Sequence, residues 1–218
     1  MYHGFAFFQV FMGIDFTVIA SLIIVITIHE CCHAGAAYLF GDPTAKIEGR
    51  LSLNPLRHLD ILGTIMMFLI GIGWGKPVPV NPRFLRHPRR DEALTALAGP
   101  LSNLVLALLL ALPLKYLRVY MPTPMTYFLS VLLNVSLWLF AFNMLPFPPL
   151  DGSKFLELLI PKKFQKAYHR YLDGGMVYFM LFLVFDSFFL SKIFGMSILS
   201  QFLGIIFTFV KSLIFLGS

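Results

Sequence analysis

The sequence predicts an all-α, polytopic membrane protein, and three observations carry the prediction. Of its 218 residues, 17 are Lys or Arg and 11 are Asp or Glu, so charged residues make up 13%, about half the share of an ordinary soluble domain. Hydrophobic residues make up 58% and aromatic ones 16%. The apolar excess is also gathered into runs. Val119 to Leu150 holds 32 residues without a Lys, Arg, Asp, Glu or His, Ala93 to Leu114 another 22, and Ile193 to Val210 another 18. An α-helix needs about 20 such residues to cross a bilayer. No linker, low-complexity tract or repeat interrupts the chain, so residues 1–218 read as a single membrane-embedded domain.

Met1 to Gly13 lacks a Lys or Arg ahead of its apolar Phe5 to Met12 stretch and lacks a small-residue cleavage pattern, so it does not read as a removable signal peptide. Helices are expected over Asp15 to Phe40, Ala93 to Leu117, Tyr127 to Leu150 with a continuation to Ile160, Leu172 to Ser191, and Ile193 to Leu213, about five to six spans in all. A catalytic core would then occupy about residues 15–160, with additional helices over about 172–213. Between the first two helices lies Ile61 to Gly75, 15 apolar residues with four glycines, which suits a re-entrant or interfacial segment better than a full span.

That segment decides the topology. If it crosses, the first helix and the one over 127–150 run in opposite directions; if it returns, they run the same way. In the returning arrangement segments 41–92 and 151–170 share a side and hold eight and five of the 17 positive residues, which makes that side cytoplasmic. The crossing arrangement splits them ten against six before Lys211, so charge alone separates the two weakly. The basic residues sit in short connections rather than in one domain with stacking aromatics, which argues against nucleic acid as a partner. Arg83, Arg86, Arg89 and Arg90 are expected to hold their connection on the cytoplasmic face.

The first helix carries His29, Glu30, Cys31, Cys32 and His33, an H-E-x-x-H pattern. At about 100° per residue the two histidines lie about 40° apart and one turn separated, so both imidazoles can reach one zinc ion. Glu30 lies between them, where its carboxylate can meet water at the metal without being a ligand. Histidines satisfied by neighbouring carbonyls would be the plainer reading. Burying an unpaired Glu in mid-span costs at least about 3 kcal/mol, however, so three ionisable groups on one intramembrane face need a compensating partner. A catalytic zinc needs a third protein ligand. Asp151, Glu157 and Asp186 are the carboxylates near apolar sequence, and Asp151 stands out because Pro146, Pro148 and Pro149 must break the helix just before it. Irregular backbone at membrane depth usually lines a polar cavity. Asp186, six residues from Lys192, reads as an interfacial residue. Asn103 has two readings, one facing the site and one bonding a carbonyl of a neighbouring helix.

HECCH (His29 to His33), AGPLSN (Ala98 to Asn103) and NMLPFPPLDG (Asn143 to Gly152) occur in the order of the site-2 protease family of intramembrane zinc metalloproteases, which the chain resembles. LNPLRHLDILGT (Leu53 to Thr64) and GWGKPVPVNP (Gly73 to Pro82) resemble its compact branch, which lacks an inserted PDZ domain. The resemblance covers residues 29–152. It implies one zinc per chain held by His29, His33 and Asp151, general-base work by Glu30, and a supporting or substrate-binding role for Asn143. Cys31 and Cys32 replace bulkier or glycine-containing pairs, and Ser153 replaces a frequent second glycine. Cys32 lies about 60° from His29, so a thiolate ligand is a geometric alternative to a small packing residue. Asp151 and His33 match in depth only when their helices run parallel, which favours the returning segment and a site that opens toward the cytoplasm.

The function expected is hydrolysis of peptide bonds within or near the transmembrane segments of membrane-anchored proteins, in the plasma membrane, by zinc-activated water and a Glu base. The substrate helix must unwind locally, and Ile61 to Pro82 is expected to receive the extended strand. The rival reading is a catalytically silent metal-binding membrane protein or transporter. A di-iron hydroxylase needs about eight histidines, and the chain has six.

Overall fold

The computed structural model describes residues 15–64, 75–195 and 197–216. Among them every regular element is helical, apart from one antiparallel bridge that pairs Leu59 with Gly75. Helix α1 spans Phe16–Leu39, and Asp15 caps it by accepting from the Thr17 N–H at 2.8 Å. Gly41 ends it at φ 111°, a conformation that suits glycine. A short helix α2, Thr44–Ile47, follows.

Helix α3 is the longest, Pro88–Tyr116, and begins five residues before the expected Ala93. Asp91 draws the start forward: it is fully buried, and it accepts from the His87 N–H at 2.7 Å and from Arg90 Nε at 2.9 Å. Helix α4, Thr123–Asn143, also starts earlier than expected, and it stops at Asn143 instead of running on to Leu150. Three prolines in the next six residues remove the donors that a helix there would need. Helix α5, Asp151–Leu156, and a 3₁₀ turn, Glu157–Leu159, take the place of the expected continuation. Helix α6 is Gln165–Asp173. Helix α7, Gly175–Phe185, passes through a π-helical turn into α8, Ser191–Phe194, and α9 is Ile198–Ile214.

Among the described residues four helices are long and apolar enough to cross a membrane: α1, α3, α4 and the continuous Gly175–Ile193. The protein is therefore an all-α, multi-pass membrane protein, and α9, 17 residues long, is a fifth and shorter apolar helix.

The directions of these helices follow from their contacts. Tyr127, in the first turn of α4, donates its hydroxyl to Asp15 at the start of α1 (2.6 Å). Val18, Leu22 and Val25 of α1 cluster with Leu132 and Val135 of α4. The two helices therefore run parallel. Helix α3 runs against them, with Thr95 meeting His33 and Asn103 meeting His29. Gly99, Asn103, Ala107 and Ala111 form a buried stripe of small residues at four-residue spacing on α3, which lets its neighbours approach closely. Helix α9 lies antiparallel to α4, with Phe207 stacked on Trp138 at 5.0 Å and Lys211 Nζ donating to Asn134 Oδ1 at 3.0 Å.

Because α1 and α3 are antiparallel, the long connection between them starts and ends on one side. The Arg86 N–H donates to the Phe40 carbonyl at 3.2 Å, and the Lys76 N–H donates to the His58 carbonyl at 2.8 Å. The chain that leaves at Leu59 is back beside it at Gly75, as a returning segment requires. The interior of the expected re-entrant stretch, residues 65–74, lies outside the described residues.

Two charged residues make contacts that the sequence does not announce. Arg89 is more than a surface anchor, for its guanidinium donates to the carbonyls of Glu157 (2.6 Å), Leu158 (3.3 Å) and Ile160 (2.6 Å) and so ties α3 to the segment that begins at Asp151. Asp186, read as an interfacial residue, is buried within the protein at the turn between two apolar helices. It accepts from the Ser197 hydroxyl and from the Ile198 and Leu199 N–H groups (2.8 and 3.4 Å), which satisfies the free donors at the start of α9.

Candidate active site

Three sequence-distant elements converge at the end of the bundle where α1 finishes, α3 begins and α5 begins. Helix α1 contributes His29 and His33, one turn apart and both buried, with their rings edge to face at 4.6 Å. Helix α5 contributes Asp151 in its first turn, with its side chain 16% exposed. His29 Nε2 lies 3.1 Å from Asp151 Oδ2, His33 Nε2 lies 3.2 Å from the same oxygen, and the two nitrogens are 3.0 Å apart.

Asp151 reaches this place because the irregular stretch after Asn143 doubles back beneath the end of α4. Gly152 makes the crossing possible: a Cβ there would stand 2.4 Å from the Met144 carbonyl oxygen. Ser153, in place of a second glycine, folds its hydroxyl back onto the Leu150 carbonyl at 2.6 Å, and its own carbonyl accepts from the Tyr168 hydroxyl at 2.6 Å. Burial and the neighbouring Tyr171 and Glu157 push the Tyr168 phenol up to about 12, so it remains a donor at any physiological pH.

The residues fit a zinc ion on two grounds. A tetrahedral ion with bonds of about 2.0–2.1 Å sets its ligand atoms about 3.3 Å apart, close to the triangle of His29, His33 and Asp151. The space behind that triangle is kept open by Gly99 of α3, where a Cβ would stand 2.3 Å from His33 Nε2 and 2.6 Å from His29 Nε2. Among the described residues these three form the one cluster of His, Cys, Asp or Glu with metal-binding spacing, and Cys32 is not in it. Cys31 and Cys32 are free and half-buried, which leaves the packing reading for the pair.

The other expected residues fall in different places. Glu30 is half-buried and has no hydrogen bond or ion pair among the described residues, so its carboxylate is free to act. Asn103 is fully buried, its amide nitrogen 3.0 Å from His29 Nδ1. Asn143 turns back along its own helix and donates to the Leu139 carbonyl at 3.0 Å. Two contributors went unread in the sequence. The Thr95 carbonyl accepts from His33 Nδ1 at 2.7 Å, and no side-chain pattern announces a backbone acceptor. Gly99 had a visible signal, since it stands four residues before Asn103 and shares its helix face.

A buried His–His–Asp cluster with metal-binding spacing among helices long enough to cross a membrane marks a membrane protein with a candidate metal centre. Comparison with known proteins agrees. The model of peptidase family M50 matches residues 118–186. Relatives bearing the name "Putative zinc metalloprotease" include YwhC of Bacillus subtilis, 40% identical over 173 residues that cover 76% of this chain and 79% of that protein. Rip2 of Mycobacterium tuberculosis is 34% identical over 163 residues, covering 72% of this chain and 62% of Rip2. MJ0611 of Methanocaldococcus jannaschii is 31% identical over 130 residues, covering 59% of this chain and 63% of that protein. No solved structure matches the chain. The chain belongs to peptidase family M50, and its likeness to the site-2 proteases holds. It is a zinc metalloprotease.

Proposed function

We propose that this metalloprotease hydrolyses peptide bonds within or close to the transmembrane segments of membrane-anchored proteins, at the cytoplasmic side of the plasma membrane. The observation that carries the reading is the convergence of His29, His33 and Asp151 within 3.2 Å of one another, at the end of helices apolar enough to span a bilayer. The connection over 41–87 and the segment after Asp151 meet at this end and hold most of the positive charge, which supports the cytoplasmic orientation.

His29, His33 and Asp151 would hold the zinc. When bound, it supplies Lewis-acid polarisation of water and of the scissile carbonyl. Glu30 takes a proton from the attacking water at its carboxylate and later delivers it to the departing amine. No hydrogen bond or ion pair ties its side chain down among the described residues, which suits a group that must accept and release a proton in one cycle. Asp91 and Arg89 fix the start of α3 and the end of the α5 segment, so the Asp151 carboxylate approaches the two imidazoles from a braced backbone. A helical substrate hides its carbonyls in its own hydrogen bonds and must open locally, and the segment over 61–82 would receive the opened strand.

The test combines metal analysis with cleavage of a single-span substrate in bilayers, for the wild type and Glu30→Gln, with and without a chelator. The wild type is expected to hold one zinc and cleave. Glu30→Gln is expected to keep the zinc and lose about 10²–10⁴-fold in rate. Absence of stoichiometric zinc in the wild type would falsify the reading, and a Glu30→Gln protein of full activity would point to a chain that does not use this glutamate.

A further inference from the structure

The two histidines are alike in position but not in what stands behind them. His33 Nδ1 faces the Thr95 carbonyl at 2.7 Å, an acceptor only, so Nδ1 carries the proton and Nε2 presents a lone pair to the cluster. His29 Nδ1 faces the Asn103 amide nitrogen at 3.0 Å, a donor only. In that arrangement His29 accepts at Nδ1, and its proton sits on Nε2, aimed at Asp151 Oδ2 3.1 Å away. That form suits a hydrogen bond to the carboxylate and is closed to a metal. Meanwhile Asn103 Oδ1, in a side chain with no exposed surface, has no hydrogen-bond partner among the described residues.

An asparagine amide carries a donor and an acceptor at nearly the same place, exchanged by half a turn about its last torsion. We propose that Asn103 is the positioning residue that gives His29 its metal-binding tautomer: with the amide turned so that Oδ1 accepts from His29 Nδ1–H, Nε2 carries a lone pair for the metal. The Thr95 carbonyl sets His33 in the same way from its far nitrogen. Histidine ligands are commonly oriented in this way by an acceptor on their far nitrogen, and loss of such a partner typically weakens metal binding 10–100-fold. The inference rests on the reading of His29, His33 and Asp151 as the zinc ligands.

The experiment measures zinc affinity of the full chain in bilayer discs by competition with a chelator, for the wild type, Asn103→Leu and Asn103→Asp. Leu keeps the volume and removes both polar atoms, while Asp keeps an acceptor in the same shape. The expected result is a 10–100-fold loss in Asn103→Leu and affinity within a few-fold of the wild type in Asn103→Asp. The absorption bands of the cobalt-substituted protein should change in the Leu variant and return in the Asp variant. Equal affinity in the wild type and Asn103→Leu overturns the proposal, as does equal loss in both variants, which is the mark of a merely structural role. A wild type without zinc instead overturns the ligand assignment itself. Unchanged affinity with a lowered cleavage rate would place Asn103 on the substrate and also overturn the proposal.

Discussion

The α1–α3–α4 bundle and the C-terminal helices α7 and α9 are both apolar, yet they are held in different ways. Over its most apolar window α1 is 39% buried, while Gly175–Ile193 is 11% buried. The bundle is packed through small residues, with Gly99, Asn103, Ala107 and Ala111 of α3 bringing α1 and α4 close. The C-terminal pair is attached by larger side chains: Phe179 and Leu203 join Ala141, Leu145 and Leu150, while Phe207, Val210 and Ile214 lie against the α3–α4 cluster, Phe147 stacks on Phe182 at 4.9 Å, and Lys211 bonds Asn134. Lipid is as apolar as leucine, so burial alone drives little helix association, and close packing marks the part that must hold a geometry. The three converging side chains all belong to the packed part or to α5 tied to it by Arg89.

The largest effect that could break this contrast lies at Gly99. Gly99→Ala adds one methyl group to a tightly packed helix, an exchange that ordinarily favours a helix by about 1 kcal/mol. Here the methyl group would sit 2.3 Å from His33 Nε2, inside the space that the metal needs. We expect zinc content to fall to background and cleavage to vanish while helical content is retained, as read by metal analysis and circular dichroism. Normal zinc loading in this variant would mean that α3 does not form the back wall of the site.

How much of this was legible in the sequence depended on whether the signal was local. The H-E-x-x-H spacing is a property of one helix, and periodicity alone places His29, Glu30 and His33 on adjoining faces. Asp151 was visible through the prolines that isolate it, although the same prolines end α4 seven residues earlier than the apolar run suggested. Hydropathy sees no difference between an apolar helix and an apolar loop, whereas missing N–H groups do. The early start of α3 was hidden because Arg89, Arg90 and Asp91 look like a solvated connection; their buried partners, the His87 N–H and the carbonyls at 157–160, are not written in any local pattern. The role of Asp186 was missed for the same reason, since its partners lie 11 to 13 residues away across a turn.

A second comparison sets one leucine in each region against the other. Leu137 of α4 is 1% exposed and packs within the α3–α4 cluster, while Leu181 of α7 is 62% exposed. In Leu137→Ala the transfer contribution is small because lipid replaces water in the unfolded reference, so the cavity left among close-packed neighbours dominates, at about 1–3 kcal/mol. Leu181→Ala exchanges one lipid contact for another and should change stability by less than about 0.5 kcal/mol. Equilibrium unfolding in mixed detergent micelles measures both. Similar losses at the two positions would show that α7 is as firmly packed as α4.

The smallest effect concerns the joint between the two regions. Lys211 Nζ donates to Asn134 Oδ1 midway along α4, and the ammonium also lies 5.3 Å from the centre of the Phe207 ring. A half-buried lysine among apolar helices is costly to place, so the hydrogen bond and the ring offset part of that cost. Replacing the lysine therefore removes a favourable contact and an unfavourable placement together, and Lys211→Met alone is a poor measure of the joint. The informative quantity is the coupling in a double-mutant cycle of Lys211→Met and Asn134→Leu, which isolates the pair from the burial of either member. Interhelical polar contacts in membranes average about 0.6 kcal/mol, and a value of that order is expected here. A coupling indistinguishable from zero would leave α9 attached to α4 by its apolar contacts alone. The contrast between a core braced by polar contacts and a pair held by apolar packing would then be sharper than the geometry already makes it.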